Sequence, residues 1–499
     1  MHKFCRIAVA VALSVASISV LAQEKEVDKD LPVLAPESQH ATSTKRITAQ
    51  FTRAHYKKIK IDDSLSEQIF DRYIKQLDYA RNIFLASDVE SFAQYRDDFD
   101  TVIARGKLDI AYQIYNLNLQ RRLERYEYAI SLLENEQPFN FEIDESYDFD
   151  REDAQRPTSV AELNELWRKK VKYDALNLTL AGKEWEKIQE VLGKRYRYAI
   201  KRLKQSESED VFQIVMNSFA RVVEPHTSYL SPRNAERFQM EMNLSLEGIG
   251  AVLRAEEDYT VIQSVVSGGP ADKSKELKPK DRIVGVSQDD KDFVDVIGWR
   301  LDDVVELIKG PKGSKVRLQI LGAESEDDSS IKVVSIVRDT IKLEDRAAKS
   351  EVYYEKEGDE NTTKLGVITI PSFYNHLSRD VKLEIAKLKE QNVAGIIVDL
   401  RGNGGGSLTE ATLLTGLFID KGPVVQVRDG ANRVNVNSDK DGISFYDGPL
   451  TVMVDRYSAS ASEIFSAAIQ DYGRGVIVGE HTFGKGTVQQ HRGLGRVYD

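Results

Sequence analysis

Glycine is spread so unevenly along this chain that it divides the fold before any other pattern is considered. Of 31 glycines, Gly106, Gly182 and Gly193 are the three between residues 23 and 240, and the rest lie beyond. A glycine in a helix interior costs about 1 kcal/mol relative to alanine, so a long glycine-poor stretch rich in Leu, Arg, Glu and Tyr reads as helical. Ile69, Phe70, Tyr73, Ile74 and Leu77 follow the i, i+3, i+4 spacing of an amphipathic helix, and the run from Tyr112 through Leu117 to Leu132 behaves similarly. Segment 136–158 breaks the pattern and reads as a loop or a partner-facing excursion. Residues 23–44 read as an extended arm.

From about residue 244 the texture changes to short strands between Gly, Pro and Asp turns. Leu246 to Leu253, Thr260 to Val265, Arg282 to Val286 and Val316 to Ile320 are the expected strands. A helix, Leu301 to Lys309, carries Leu301, Val304, Val305 and Ile308 on one side. The charged stretch Glu324 to Ser330 reads as a loop. From about 364 a third texture appears. The strands Leu365–Ile370, Ala394–Leu400, Val424–Val427, Leu450–Val454 and Val476–Val478 are almost wholly apolar. The helical runs Asp380–Glu390, Leu408–Phe418 and Ser460–Tyr472 separate several of them, which predicts an α/β unit with strands buried on both faces. A chain of 499 residues has room for three such units.

Composition narrows the function. With 69 Lys+Arg against 80 Asp+Glu the net charge is −11, which argues against a general nucleic-acid binder. The single cysteine, Cys5, excludes a disulfide framework and a cysteine-based zinc site. The seven histidines include no HExxH and no metal-ligand cluster, so neither metal nor cofactor is expected. His2, Lys3 and Arg6, then apolar Ile7 to Leu21 and Val20-Leu21-Ala22, read as a secretory signal peptide over 1–22. The apolar stretch is shorter than the ~20 residues that span a bilayer. An uncleaved anchor is the competing reading, and a periplasmic, soluble mature protein is the expectation.

Four segments carry candidate chemistry. Ser458-Ala-Ser460-Ala-Ser462-Glu463 follows an apolar strand and opens a helix, where unpaired N–H groups can stabilise an oxyanion. N-capping by Ser460 or Ser462 competes with that reading. Gly484-Lys485-Gly486 places a lysine where backbones approach closely. If buried, its pKa falls and it can act as a general base; a solvated turn lysine is the alternative. Gly479 to Lys485 also mimics a phosphate loop, but residue 486 is glycine where Ser or Thr is required. Asp399-Leu-Arg-Gly402-Asn403-Gly404-Gly405-Gly406 lacks the third glycine of a dinucleotide loop and reads as a turn whose amides face a site. Leu246-Glu247-Gly248-Ile249-Gly250 suits a loop whose amides receive a peptide carboxylate beside a strand edge, or an ordinary glycine turn. His481 keeps a Ser-His-Asp scheme open, and His226 reads as a turn residue.

Together these segments, with Glu224-Pro-His-Thr-Ser-Tyr-Leu and Gly479-Glu-His-Thr-Phe-Gly-Lys-Gly, resemble the tail-specific, or C-terminal processing, serine proteases of peptidase family S41. The resemblance implies a multidomain α+β protein. It would comprise the signal peptide, an N-terminal helical domain over 23–243, a PDZ domain over 244–324 and an α/β crotonase-like Ser-Lys protease core over 325–499. It implies Ser460 as nucleophile, Lys485 as general base and Asp471 as an associated acid, with oxyanion donors at Ala461 and at Gly404 or Gly405. It assigns substrate C-termini to Leu246, Gly248, Ile249 and Gly250, and an apolar pocket to Leu301, Val304 and Ile308. If 460–472 is one helix, Asp471 lies about 16 Å along the axis from Ser460, which suggests a structural or orienting role for it.

The implied activity is ATP-independent cleavage of proteins with free apolar C-termini. The implied partners are a periplasmic lipoprotein adaptor on the helical domain and, peripherally, the inner membrane, with no nucleic acid. A catalytically silent PDZ scaffold that binds protein C-termini is the alternative. The family continues beyond the point corresponding to Asp499, so the core is expected to be truncated there.

Overall fold

The computed structural model describes residues 31–135, 139–323, 331–356 and 362–495. The expected signal peptide and the loop at Glu324–Ser330 lie outside the described residues. The chain forms a multidomain α+β structure in which helices come first and two sheet-based units follow.

The N-terminal unit contains α1 (Ser38–Arg53), α2 (Asp63–Leu77), α3 (Ala86–Ala93), α4 (Phe99–Arg105), α5 (Asp109–Leu133), α6 (Val160–Leu180), α7 (Trp185–Lys204), α8 (Ser208–Val223) and α9 (Pro232–Asn243). Helix α5 threads two cores. Its first half places Ala111, Tyr112 and Ile114 against α2 and α8, around Tyr73, Phe99, Phe212 and Phe219. Its last turns place Ala129 and Leu133 against α6 and α7, around Trp167, Val171 and Leu192. The extended arm expected over 23–44 is corrected: residues 38–44 are the first turns of α1. That helix is polar by composition but buries His40, Ser43 and Thr44 with Ile47. His40 stacks on Phe212 at 4.3 Å and meets Glu209 at 3.1 Å, so burial of satisfied polar groups replaces an apolar stripe. Among the described residues no helix is long and apolar enough to cross a membrane.

The middle unit is an antiparallel sheet with strand order β2-β3-β4-β6-β7. Its strands are β2 (Ala251–Glu256), β3 (Tyr259–Val265), β4 (Arg282–Gln288), β6 (Lys315–Leu321) and β7 (Lys332–Val337), with β5 (Val294–Asp295) on β4. Helices α10 (Pro270–Ser274) and α11 (Leu301–Ile308) pack on it. The single strand expected over Leu246–Leu253 is two. β1 (Ser245–Gly248) ends where Ile249 and Gly250 turn, with Gly250 at φ 76°, and β1 pairs outside this sheet with β8 (Asp339–Lys342). Glycine reaches that positive φ without the steric cost of a Cβ.

Charge fixes the middle unit to the helices. Arg300, at the start of α11, donates to Asp210 at 3.0 Å and lies 3.2 Å from Glu207, both at the start of α8. On α11 itself, Asp303 pairs with Arg233, and Asp302 lies 3.9 Å from Arg237, both of α9. Lys201 and Gln205 of the α7 end reach the Glu257 and Gly298 carbonyls at 2.9 and 2.7 Å.

The C-terminal unit is a five-stranded sheet with order β15-β14-β11-β10-β9. β10 (Lys364–Thr369), β11 (Gly395–Asp399), β14 (Leu450–Val454) and β15 (Val476–Gly479) are parallel, and β9 (Lys349–Tyr354) is antiparallel at one edge. Crossover helices α12 (Leu377–Glu390), α13 (Leu408–Gly416) and α14 (Ala461–Asp471) join the parallel strands. The expected strand Val424–Val427 is not in this sheet. It belongs to a separate hairpin, β12 (Gly422–Arg428) with β13 (Val434–Asp439). Burial on both faces is only partly met. Val398, Val452 and Val454 are in the core, alternate residues are half-buried, and Val476 and Val478 on edge strand β15 are exposed.

Candidate active site

In an open parallel sheet, binding sites form in loops beyond the carboxyl ends of the strands. Three sequence segments meet there in this molecule. The glycine loop 402–406 follows β11, the serine turn 455–460 follows β14, and the lysine loop 480–486 follows β15; these three strands are neighbours.

The three serines separate by their hydrogen bonds. Ser458 is fully buried and its hydroxyl donates to the Leu400 carbonyl at 2.8 Å. Ser462 is also fully buried and donates to the Asn403 carbonyl at 2.9 Å. Both hydroxyls are spent on holding the glycine loop to the serine turn. Ser460 sits at the N-cap of α14 in a capping box with Glu463, and its hydroxyl donates to no group among the described residues. Its backbone is strained, with φ 56° and ψ −112°, a conformation that a non-glycine residue holds only when its surroundings enforce it. As a donor its hydroxyl is left free among the described residues.

Glu463 is the residue that sequence reasoning quoted but did not assign. Its carboxylate accepts the Ser460 N–H at 2.7 Å and the Lys485 N–H at 2.9 Å on the same oxygen. The other oxygen accepts the Gly484 N–H at 2.6 Å and the Thr482 hydroxyl at 2.8 Å. The backbone nitrogens of Ser460 and Lys485 are thus within about 6 Å, a gap the four-carbon stem of a lysine spans. Burial works to raise the Glu463 carboxyl, but these donors outweigh it and hold the pKa below its ordinary value. The signal for Glu463 was present: Ser460-x-x-Glu463 has capping-box spacing. A further bond, from Phe483 N–H to the Ser458 carbonyl at 3.0 Å, ties the lysine loop to the serine turn.

Lys485 is half-buried, and burial pushes its ammonium pKa below the ordinary lysine value against the opposing pull of Glu224 and Glu463. Glu224, at the end of α8, is brought into that field from the helical unit, and its carboxylate accepts the His226 N–H at 2.8 Å. Beyond Lys485 the chain reaches the same unit. His491 stacks on Phe238 at 5.6 Å, and Arg46 donates to the Leu494 carbonyl at 2.6 Å.

Of the expected oxyanion donors, Ala461 and Gly404 carry N–H groups that meet no acceptor among the described residues. The Gly405 N–H is already spent on Asn403 Oδ1 at 2.9 Å. Gly405 instead serves as a point of close approach: a Cβ there would lie 2.9 Å from Ser460 Cβ. Asp471 is not brought to the site. It is the last residue of α14, exposed, and its side chain has no hydrogen bond or ion pair among the described residues. His481 is exposed and without a hydrogen-bond partner among the described residues. Residues 480–495 form no helix, which removes the phosphate-loop reading of Gly479–Lys485.

In the middle unit, Leu246, Gly248, Ile249 and Gly250 lead from β1 into β2. The Ile249 and Gly250 carbonyls are engaged by Ala271 and Val266, both at 2.8 Å, whereas their N–H groups meet no acceptor among the described residues. Strand β2 is an edge of its sheet. Val304 and Ile308 are packed into the core at 0% and 4% exposure, and Leu301 is half-buried. They form the floor beneath this edge rather than an open wall.

Comparison with known proteins accounts for the three units. Residues 47–233 match the tail specific protease N-terminal domain, 237–321 the PDZ domain and 364–497 peptidase family S41. The chain is 49% identical over 494 residues to the tail-specific protease of Haemophilus influenzae, covering 99% of this chain and 69% of that one. It is 32% identical over 313 residues to a probable CtpA-like serine protease of Staphylococcus epidermidis, covering 62% and 58%. Among solved structures, a PDZ domain of the carboxy-terminal protease from Vibrio cholerae in complex with peptide is 63% identical (20% of this chain, all of that one, TM-score 0.19). The photosystem II D1 C-terminal processing protease is 25% identical (62% and 78%, TM-score 0.31). The chain belongs to the tail-specific proteases, with their N-terminal helical domain, a PDZ domain and an S41 peptidase core.

Proposed function

We propose that this protein is a serine endopeptidase that captures apolar protein C-termini on its PDZ domain and cleaves with a Ser460–Lys485 dyad. The observation that carries the reading is the Glu463 carboxylate, which holds the backbones of an unspent serine and a half-buried lysine on one oxygen. Ser460 Oγ attacks the scissile carbonyl while neutral Lys485 takes its proton. The oxyanion receives the Ala461 and Gly404 N–H groups. Collapse of the tetrahedral intermediate expels the amine, which takes its proton from Lys485. Water then attacks the acyl-enzyme, again with Lys485 as base. Neither ATP nor a metal enters this sequence.

Substrate tails add to β2 as an extra strand, their terminal carboxylate meeting the Ile249 and Gly250 amides. Leu301 contributes to the apolar contact above Val304 and Ile308. Residues 1–22 act as the export signal and the mature protein works in the periplasm. The test is incubation with an unfolded protein ending in Ala-Ala, beside the Ser460→Ala variant and an amidated substrate. Cleavage by the parent alone, weakened by amidation, supports the proposal. A parent that binds tails but neither cleaves nor labels with a fluorophosphonate indicates the silent scaffold. Cleavage equal for free and amidated tails removes the carboxylate loop. N-terminal sequencing of the mature chain tests export.

A further inference from the structure

We propose that Asn403 is the positioning residue of this site, locking the glycine loop and the serine turn at a fixed separation. The inference rests on the reading of Ser460 as nucleophile. Asn403 is fully buried beyond the end of β11. Its Nδ2 donates to the Ile370 carbonyl at 2.7 Å, just past β10, and its Oδ1 accepts the Gly405 N–H at 2.9 Å. Its carbonyl accepts twice from beyond β14, from the Ala459 N–H at 3.0 Å and the Ser462 hydroxyl at 2.9 Å. Its own N–H closes on the Leu400 carbonyl at 3.1 Å. One residue thus joins the exit loops of three adjacent strands.

The two bonds to its carbonyl flank Ser460 on either side, and the bond to its carboxamide sets Gly405, whose backbone packs on Ser460. A Cβ at Gly405 would meet the Ala459 oxygen at 2.7 Å and the Ala461 nitrogen at 3.0 Å, so the loop and turn are in contact without slack. The Gly404 amide, next in the chain, inherits its position from this clamp. A carboxamide suits the task because it donates and accepts at once. Ionised aspartate would present only acceptors, and an apolar residue would leave the Ile370 carbonyl and Gly405 N–H unpaired in the interior. Being uncharged, the clamp is also insensitive to pH and salt.

The test uses the full chain with Asn403→Ala and Ser462→Ala, and Ser460→Ala as reference. The readouts are kcat, KM, the rate of fluorophosphonate labelling at Ser460, binding of a tail peptide and the thermal midpoint. Misplacement by about 1 Å costs on the order of 100-fold in rate, so Asn403→Ala is expected to lose about that much in kcat and labelling, with KM and tail binding changed less than about 3-fold. Ser462→Ala loses one of the carbonyl bonds and is expected to fall about 5- to 10-fold in the same two quantities at an unchanged midpoint. A purely structural asparagine would lower the midpoint and leave the labelling rate of folded protein intact, and that result overturns the proposal. If Asn403→Ala does not fold, Ser462→Ala decides: parental kcat and labelling there overturn it too. Persisting cleavage by Ser460→Ala removes the nucleophile assignment itself, and with it this inference. A dead Ser460→Ala beside a fully active Asn403→Ala removes only the clamp.

Discussion

The catalytic turn and the seam between the PDZ and helical domains are held by opposite means. Around Ser460 the ties are short hydrogen bonds of buried or half-buried side chains with neighbouring backbone: the Ser458 and Ser462 hydroxyls donate to carbonyls, and Asn403 Oδ1 and the Glu463 carboxylate accept from N–H groups. Along the seam they are ion pairs at partly exposed side chains, with Arg300, Arg233 and Arg237 facing Asp210, Glu207, Asp303 and Asp302. Desolvated bonds are little affected by ions in solution, whereas exposed pairs are screened within about 10 Å at 0.1 M salt. The molecule therefore combines a site whose geometry is little affected by salt with a domain seam that responds to it.

The largest expected effect tests the site side of this contrast. Lys485→Ala removes the base and is expected to lower hydrolysis by about 10³-fold or more, with tail-peptide affinity and thermal midpoint preserved. Near-parental turnover in that variant would end the dyad proposal. Glu463→Gln comes next. The amide keeps the shape but replaces one of two oxygens that each accept two donors, so kcat is expected to fall about 10- to 100-fold and stability by about 1–3 kcal/mol. Steady-state kinetics and chemical unfolding of one preparation read both.

A pH profile sharpens the same comparison. Activity needs neutral Lys485, so kcat/KM rises with pH, and its limb lies below the 10.5 of an unperturbed lysine. Glu224 and Glu463 are the carboxylates that favour the ammonium form. Glu224→Gln removes one of them, so the limb is expected to move to lower pH; a move to higher pH, or none, contradicts this account of the lysine's surroundings. The smallest effect belongs to the seam. Arg300→Ala is expected to weaken the docking of α11 by about 1 kcal/mol, visible as faster hydrogen exchange in α11 and at the start of α8. About 0.5 M salt should reproduce that loosening in the parent and leave Ser460 labelling unchanged. Equal salt sensitivity in both readouts would erase the distinction.

Local patterns were legible where one segment carries its own signal. The parallel strands, the helix opening at Ser460 and the glycine-flanked lysine are contiguous, and each was recognisable in place. The choice among Ser458, Ser460 and Ser462 was not, because it depends on carbonyls of Leu400 and Asn403 nearly sixty residues away in the chain. The two roles left unread, Glu463 and Asn403, lie inside segments that were noticed. Their partners are backbone groups, which leave no mark on side-chain identity. The arm that proved to be α1 failed for a related reason: His40 looks solvent-facing until Glu209 and Phe212 of α8 and Tyr112 of α5 supply partners for it, and Thr44 is satisfied inside the helix by the His40 carbonyl.

Helix content, the order of the three units and the location of reactive side chains follow from short-range propensity and spacing, and so can be read along the chain. Which hydroxyl is spent, which amide stays open, and that Glu463 serves serine and lysine together follow from packing β15, β14 and β11 side by side. That packing brings loops from distant parts of the chain within hydrogen-bond distance. Only after that approach does each polar atom acquire a partner or remain available for chemistry.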